Sequence, residues 1–482
     1  MDLIKLVLAV PFIVTIAMVF VKDIKLAGRF VAAASWVQLA AVLSLTIPLF
    51  TGQIDSIRIT ADFIITRLDA AFILLTACVS VSSMTHGYFF YQREAERETT
   101  KDHAAPTSLH IRINYGCAMF FVTAMCMVFS CKNLGILWVC VESTTLISAP
   151  LVYFNRTKNA LEACWKYLII CSVGMSFALL GTLFIFAAGQ HGAVSGGTLE
   201  TYQLIQIAPN LDYKLLRFGF IFCVLGYGTK AGMFPLHSWL PDAHSEAPAP
   251  SSALLSGSLL NCALFAIWRV SEIVSAAPHA KMATEITIWA GTITVLAASL
   301  FLVRQHSLKR MFAFSSIENV GVMLVAIGLN SGALFFLQAL NHSITKVALF
   351  LLSGNIVQGT GKKHISDQGG LMASAPGWAV LLAIGAFSVT GAPPFGTFLS
   401  ELLILMRAID LHYYATAGLL IVGLALAFIV VCMHIGRVFL GAANTNTQYF
   451  KPVLTSAVPA ILLACSLALG LITGPALWDC LR

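Results

Sequence analysis

Apolar residues run along this chain in blocks about as long as a membrane crossing, separated by short charged or Gly/Pro-rich gaps. A helical span needs about 20 mostly apolar residues. The blocks predict about fourteen spans, near 3–21, 30–50, 69–91, 113–131, 134–154, 163–188, 216–238, 250–272, 286–303, 311–329, 332–357, 376–406, 413–436 and 453–474. The predicted fold class is therefore an all-α polytopic membrane protein. The first block has no small-residue cleavage site after it, so it reads as a span and not as a removed signal peptide.

Composition points the same way. The 482 residues are 58% hydrophobic and 11% charged, where soluble domains carry about 25% charge. The net charge of +7 sits mostly in loops and does not imply nucleic-acid binding. Twelve cysteines are scattered through apolar blocks. Neither iron–sulfur nor zinc spacing occurs among them, which predicts no metal and no cofactor in this chain.

Loop cations set the expected orientation. Loops after odd-numbered spans hold sixteen of the 29 lysines and arginines, including Lys22, Arg97, Lys101 and Lys451. The opposite loops and the two termini hold ten, including Lys132 and Arg482. Both termini are expected outside the cytoplasm.

Two features hint at a repeat. Lys166 opens KYLIICSVG and Lys346 opens KVALFLLSG, 180 residues apart. Pro235 interrupts span 7, and Pro393 with Pro394 interrupts span 12. Transporters built from inverted repeats carry interrupted helices at matching positions. Spans 4–8 and 9–13 would be two inverted five-helix units. The expected division is residues 1–110 for spans 1–3, 111–275 and 283–440 for the two units, and 450–482 for the last span.

Ionisable side chains inside spans are costly, about 2.5–3.5 kcal/mol on the mild insertion scale, and are functional candidates by default. Glu142 lies deep in span 5 and is a candidate partner for a buried lysine; the alternative is a static salt bridge. Lys230 is the central candidate. Burial lowers a lysine pKa and a nearby carboxylate raises it, so a movable partner would let it hold or release a proton. Pro235, five residues on, removes a backbone donor, and unwound backbone at this depth lines water or is buried in protein. The alternative is a kink with a snorkelling lysine. His342 and Lys346 are four apart on one helix face and form a candidate relay, unless His342 is a packed histidine. Glu401 follows the Pro-Pro break and either passes protons outward or simply reaches water. Lys166 either joins the path or snorkels. His237, after the first break, is a candidate entrance. Glu318, after a basic loop, and His434, three residues before Arg437, read equally well as relay groups and as charges paired at the membrane edge.

The stretches LWVCVESTTLISAPLV, TKAGMFPLHSWLPDAHSEAPAPSSALLSG, SLKRMFAFSSIENVGVM, NHSITKVALFLLSGNI and GAPPFGTFLSELLIL resemble the antiporter-like membrane subunits of respiratory complex I, Mrp antiporters and membrane-bound nickel–iron hydrogenases. The likeness runs over roughly 70–440, and SEAPAPSSALLSG is most similar to the hydrogenase-4 component F branch. The resemblance implies fourteen helices with two inverted five-helix repeats. It also implies a midplane proton path through Glu142, Lys230, His342 with Lys346, and Glu401. It implies a multi-subunit complex in a bacterial inner membrane, with a peripheral hydrogenase arm whose partner subunits hold the nickel–iron centre and iron–sulfur clusters. One departure stands out. Many relatives place a histidine or lysine in span 8, where this chain has Ser256 and Asn261. The expected function is redox-driven proton translocation without a redox centre of its own. The rivals are a complex I subunit, a sodium–proton antiporter subunit and a proton-inactive scaffold.

Overall fold

A computed structural model describes residues 2–96, 106–192, 197–278, 280–440 and 453–481. Arg97, Lys101, Lys451 and Arg482, used above for orientation, lie outside the described residues. The order of helices is α1 (Asp2–Phe20), α2 (Ile24–Phe50), α3 (Arg67–Glu96), α4 (Ser108–Ser130), α5 (Leu134–Val152) and α6 (Lys158–Gly192). Then follow α7 (Thr201–Ile207), α8 (Tyr213–Ala231), α9 (Trp239–Glu246), α10 (Ala249–Leu254) and α11 (Leu260–Ser275). The rest are α12 (Lys281–Leu302), α13 (Leu308–Gly328), α14 (Gly332–Thr360), α15 (Leu371–Ser374), α16 (Pro376–Val389), α17 (Gly396–Asp410), α18 (Tyr414–Leu440) and α19 (Val453–Leu481). A two-residue antiparallel ladder, β1 (Ile57–Arg58) with β2 (Ile64–Ile65), closes the α2–α3 loop in the register Ile57↔Ile65.

Among the described residues eleven helices are long and apolar enough to cross a membrane, with Ala9–Phe20 and Pro376–Val389 as shorter apolar segments. The chain is a polytopic all-α membrane protein. The seventh predicted span is the broken pair α8–α9 and the twelfth is the broken pair α16–α17. The eighth is α10 and α11 joined by a π-helical turn at Leu255–Leu259. Several helices overrun the predicted spans; α6, for instance, starts at Lys158. Hydropathy falls before the helix does, because the backbone ladder continues into the polar zone.

Polar residues in the gaps start the helices. Asn133 accepts from the amides of Gly135 (2.9 Å) and Ile136 (3.3 Å) at the start of α5. Asp212 does the same for Lys214 (2.9 Å) and Leu215 (3.1 Å) at α8. Such caps satisfy donors that the first turn leaves open.

The helices sort into a buried centre with polar side chains and an apolar rim. The α10–α11 span and α13 are buried throughout their apolar stretches, while α2, α6 and α18 expose apolar side chains such as Trp36, Trp165 and Ile429. Glycines let the closest pairs approach. A Cβ on Gly291 of α12 would meet the Gly321 carbonyl of α13 at 2.5 Å, and one on Gly181 of α6 would meet the Gly219 carbonyl of α8 at 2.7 Å. Small residues at such crossings allow backbone contact where lipid supplies no hydrophobic drive.

Candidate functional site

The first candidate group gathers α5, α6 and α8. Lys230 is fully buried, and its Nζ donates to Thr145 Oγ1 at 2.5 Å and to the Tyr167 hydroxyl at 3.0 Å. Thr145 in turn donates to Glu142 Oε2 at 3.0 Å, and Ser172 donates to Glu142 Oε1 at 2.8 Å. Glu142 and Thr145 lie three apart on α5, which brings them to one face. Among the described residues no direct ion pair joins Lys230 to Glu142: the threonine hydroxyl stands between them. A hydroxyl accepts with its lone pairs while donating its proton, so the lysine and the carboxylate share one connected chain. Tyr167 extends it to Ser148 at 2.6 Å and packs its ring on Trp239, 4.8 Å between centroids.

The break next to Lys230 begins earlier than proline chemistry predicts. Helix α8 ends at Ala231, and Gly232 takes the left-handed conformation at φ 82°. Its amide returns to the Gly228 and Thr229 carbonyls, and the Met233 amide reaches the Gly228 carbonyl at 2.8 Å. This is a glycine-terminated helix end. A Cβ on Gly232 would lie 2.6 Å from Leu240 Cδ1. The Trp239 indole donates to the Thr229 carbonyl at 2.9 Å, and the Phe234 amide donates to Thr294 Oγ1 at 3.3 Å. Protein groups therefore take up the freed backbone. The second break repeats the pattern. Gly391 is left-handed at φ 65°, and the Ala392 amide reaches the Phe387 carbonyl at 3.0 Å. Each glycine precedes a proline by three residues, Gly232 before Pro235 and Gly391 before Pro394. The Phe234–Pro235 and Pro393–Pro394 bonds are both cis.

Between the two breaks lies span 8. Ser256, in the π-helical turn, pairs with Ser316 of α13 at 2.9 Å between hydroxyl oxygens. Asn261 donates to the Gly257 carbonyl (3.0 Å) and to Ser343 Oγ (2.9 Å). The Ser256 peptide faces the buried ring of His342. Neither ring nitrogen of His342 has a hydrogen-bond partner among the described residues. The span 8 position expected to carry a titratable side chain is thus filled by hydroxyls and by an imidazole from the neighbouring helix.

The second group gathers α13, α14 and α17. Lys346 is fully buried, donates to the Phe312 carbonyl at 3.0 Å and lies 5.9 Å from the centre of the Phe312 ring. The carboxylate whose charge acts on it is Glu318, 2% exposed in the middle of α13, with no direct ion pair between the two among the described residues. Glu401 lies beyond, 6% exposed, with Oε1 unpartnered among the described residues. Any Cβ at Gly391 would collide with the Glu401 carboxylate.

From the sequence, Glu318 reads equally well as an edge charge, because it follows the basic loop with Lys309 and Arg310, and as a relay. The structure places it away from the edge: α13 already starts at Leu308, so those cations sit in its first turn and Glu318 lies more than two turns deeper. Counting helical turns from Arg310 is the signal that would have found it.

Three candidates stand apart from these groups. Lys166 is 46% exposed and pairs with Glu162 (2.6 Å) and Asp242 (3.2 Å), and Asp242 also binds Arg310. These groups line an open cavity of ≈ 190 Å³ near the start of α6. The snorkelling alternative describes this placement. His237 packs its ring among Phe234 (5.5 Å), Phe301 (5.2 Å) and Phe314 (6.1 Å), with Nδ1 unpartnered among the described residues. His434 bonds the Leu302 carbonyl at 3.1 Å.

A further charged cluster had no sequence signal. Fully buried Asp69 of α3 binds Arg269 of α11 and Lys132 of the α4–α5 loop, the latter at 2.6 Å. Burial and the neighbouring Arg269 push the Lys132 ammonium down from its ordinary value, and Asp69 pulls it back. Only the fold brings these three residues together. Among the described residues no group of three or more His, Cys, Asp or Glu side chains is placed to hold a metal ion.

Comparison with known proteins gives a consistent result. Residues 131–429 match the family described as NADH:quinone oxidoreductase/Mrp antiporter, transmembrane. The hydrogenase-4 component F homolog of Methylacidiphilum infernorum is 39% identical over 353 residues, 72% of this chain and 72% of that protein. NADH-quinone oxidoreductase subunit N of Desulforudis audaxviator is 26% identical over 423 residues, 85% of this chain and 80% of that protein. A chain of the membrane-bound sulfane sulfur reductase, an archaeal respiratory membrane complex, superposes with a TM-score of 0.86 at 23% identity, covering 99% of this chain and 95% of its own.

Proposed function

The chain belongs to the NADH:quinone oxidoreductase/Mrp antiporter transmembrane family, and we propose that it translocates protons within a membrane-bound nickel–iron hydrogenase complex. It is an antiporter-like, multi-pass membrane subunit of the complex I, Mrp and hydrogenase superfamily. The hydrogenase assignment is supported by the 39% identity to a hydrogenase-4 component F homolog.

One observation carries the proton assignment. Two fully buried lysines each share a helix cluster with a carboxylate, Lys230 with Glu142 through Thr145 and Lys346 with Glu318 and Glu401, and each cluster abuts a glycine-made helix break. An uncompensated buried charge is unstable, and a buried static pair contributes little to stability. Lysines so placed suit groups that change charge in service. In the proposed cycle Lys230 releases its proton when Glu142 weakens its hold through Thr145. The proton crosses past Ser256, Ser316 and His342 to Lys346 and leaves by Glu401. In this scheme Lys166 serves as a surface collector and the buried His237 lines the first break.

The same proposal divides the chain into residues 1–110, two inverted units over 111–275 and 283–440, and a last span in 450–482. An odd number of spans per unit inverts the second relative to the first. The proposed setting is a bacterial inner membrane with both termini outside the cytoplasm. Partner subunits would supply the peripheral arm, the nickel–iron centre and the iron–sulfur clusters.

The test is Lys230→Ala in the intact complex, reconstituted in sealed vesicles. Proton translocation is expected to vanish while electron transfer by the partner subunits continues. Proton translocation at the unmodified rate would refute the proposal. Sodium-dependent transport in the same vesicles would favour an antiporter of the sodium–proton kind.

A further inference from the structure

Glu318 is one end of a chain of side-chain hydrogen bonds that runs to the second helix break. Asn319 Nδ2 donates to Glu318 Oε2 at 3.0 Å. Gln338 Nε2 of α14 donates to Asn319 Oδ1 at 2.8 Å. Ser400 of α17 donates to Gln338 Oε1 at 2.5 Å. Asn341 Nδ2 donates to Ser400 Oγ at 3.2 Å and to the Gly396 carbonyl at 2.9 Å. All of these residues are buried.

The chain has a direction. Asn319 Nδ2 also donates to the Ser315 carbonyl at 3.0 Å. Carbonyl oxygens only accept, so Ser315 and Gly396 fix which way both asparagine amides point. Every donor from Asn341 onward then faces toward Glu318. Such a chain is completed by a carboxylate, which accepts without donating, and hydrogen bonds to an ionised acceptor are about twice as strong as neutral ones. At its far end the chain holds Gly396, the first residue of α17, and Ser400, the neighbour of Glu401.

We propose that Glu318 is a further proton carrier of this chain, exchanging one proton with Lys346, and that the Asn319–Gln338–Ser400–Asn341 chain transmits its charge state to the break between α16 and α17. In the exchange the Lys346 N–H bond breaks and a Glu318 O–H bond forms, leaving a neutral amine and a neutral acid. The neutral acid accepts more weakly, the amide chain loosens, and the start of α17 is released beside Glu401. Amides hold fixed donors and acceptors, so the chain carries the signal and not the proton. The inference rests on the proton-translocating function proposed above. Under the proposed division into inverted units, α13 is the second-unit counterpart of α5, so Glu318 stands where Glu142 stands.

Glu318→Gln tests it in the intact complex in sealed vesicles, with Lys346→Ala as reference. Glutamine keeps the shape and still accepts from Asn319. Proton transport per electron is expected to fall about tenfold or more, a barrier change of about 1.4 kcal/mol, and to recover in part in Glu318→Asp. Infrared difference spectra should lose one deuterium-sensitive carboxyl band in Glu318→Gln, and that band should shift in Glu318→Asp. Gln338→Leu should cut transport while the band persists. Unmodified transport in Glu318→Gln alongside a silent Lys346→Ala would overturn the inference and leave the proton function standing. Unmodified transport in both would overturn that function. Should Glu318→Gln not assemble, an unshifted band in Glu318→Asp overturns the inference by itself. Unmodified transport in Gln338→Leu would overturn the link to the break.

Discussion

The hydroxyl of Thr145 accepts from Lys230 at 2.5 Å and donates to Glu142 at 3.0 Å, so a single oxygen connects the ammonium to the carboxylate. Thr145→Val keeps the shape and removes that oxygen. Proton transport should fall about tenfold or more, equivalent to about 1.4 kcal/mol of barrier. Thr145→Ser should retain most of it. Vesicle acidification at matched electron flux distinguishes the two variants, and equal rates for both would remove Thr145 from the path.

The two left-handed glycines should tolerate no side chain. Gly232→Ala and Gly391→Ala each force a Cβ into a conformation costing about 1–2 kcal/mol, before the clashes with Leu240 and Glu401 are added. Thermal unfolding of the purified complex should move down for both. Gly391→Ala should also impair proton transport, because the carboxylate it displaces is Glu401. Gly418→Ala, with nothing within 4 Å of its Cβ, is the neutral control.

Two charged clusters should respond very differently to loss of a member. Asp69→Asn leaves Lys132 without its acid and the buried Arg269 with Glu272 alone, a loss of about 3–5 kcal/mol for a broken buried pair. Lys166→Ala removes a half-exposed member of a solvated cluster, which is worth about 0–1 kcal/mol. Complex yield and thermal stability should collapse in the first and hardly change in the second. Proton transport in Lys166→Ala should stay near the unmodified level.

The Ser256–Ser316 pair offers a test of the crossing. Removing both hydroxyls together leaves no unpaired partner, so Ser256→Ala with Ser316→Ala should change stability by no more than about 1.5 kcal/mol. Transport between the halves should nevertheless drop. Unchanged transport would route the proton elsewhere, past His342 alone.

Much of this was legible in one dimension because membrane spans are encoded locally. The apolar blocks correspond to helices or broken helix pairs, eleven of them among the described residues long and apolar enough to cross a membrane, since each block must satisfy its own backbone in lipid. Lys230, Lys346, Glu142 and Glu401 were legible for the same reason: charge stands out against an apolar background. What was hidden depends on depth and on partners. Glu318 hid behind two cations that belong to its own helix. Thr145, Gln338 and Ser400 have meaning only through residues on other helices, 85, 19 and 62 positions away. The sequence points to Pro235 and to Pro393 with Pro394 as the breaks, whereas Gly232 and Gly391 end the helices. The shared Gly-x-x-Pro spacing, GMFP and GAPP, was present in the sequence.

The broken helices bear on how the protein reaches its folded state. Helix α16 has 14 residues and α9 has 8. At 1.5 Å per residue they measure about 21 Å and 12 Å, short of a hydrocarbon layer about 30 Å thick. Neither half-helix can settle in lipid on its own. The open backbone at each break also needs Trp239, Thr294 or Asn341 from the assembled bundle. During synthesis these two segments should leave the insertion machinery late, held until α5, α6, α13 and α14 can receive them. Crosslinking of stalled nascent chains to the translocon would time that release against the unbroken spans. A cell making this subunit would thus seat the two half-helices that complete its breaks last, after the walls around them are in place.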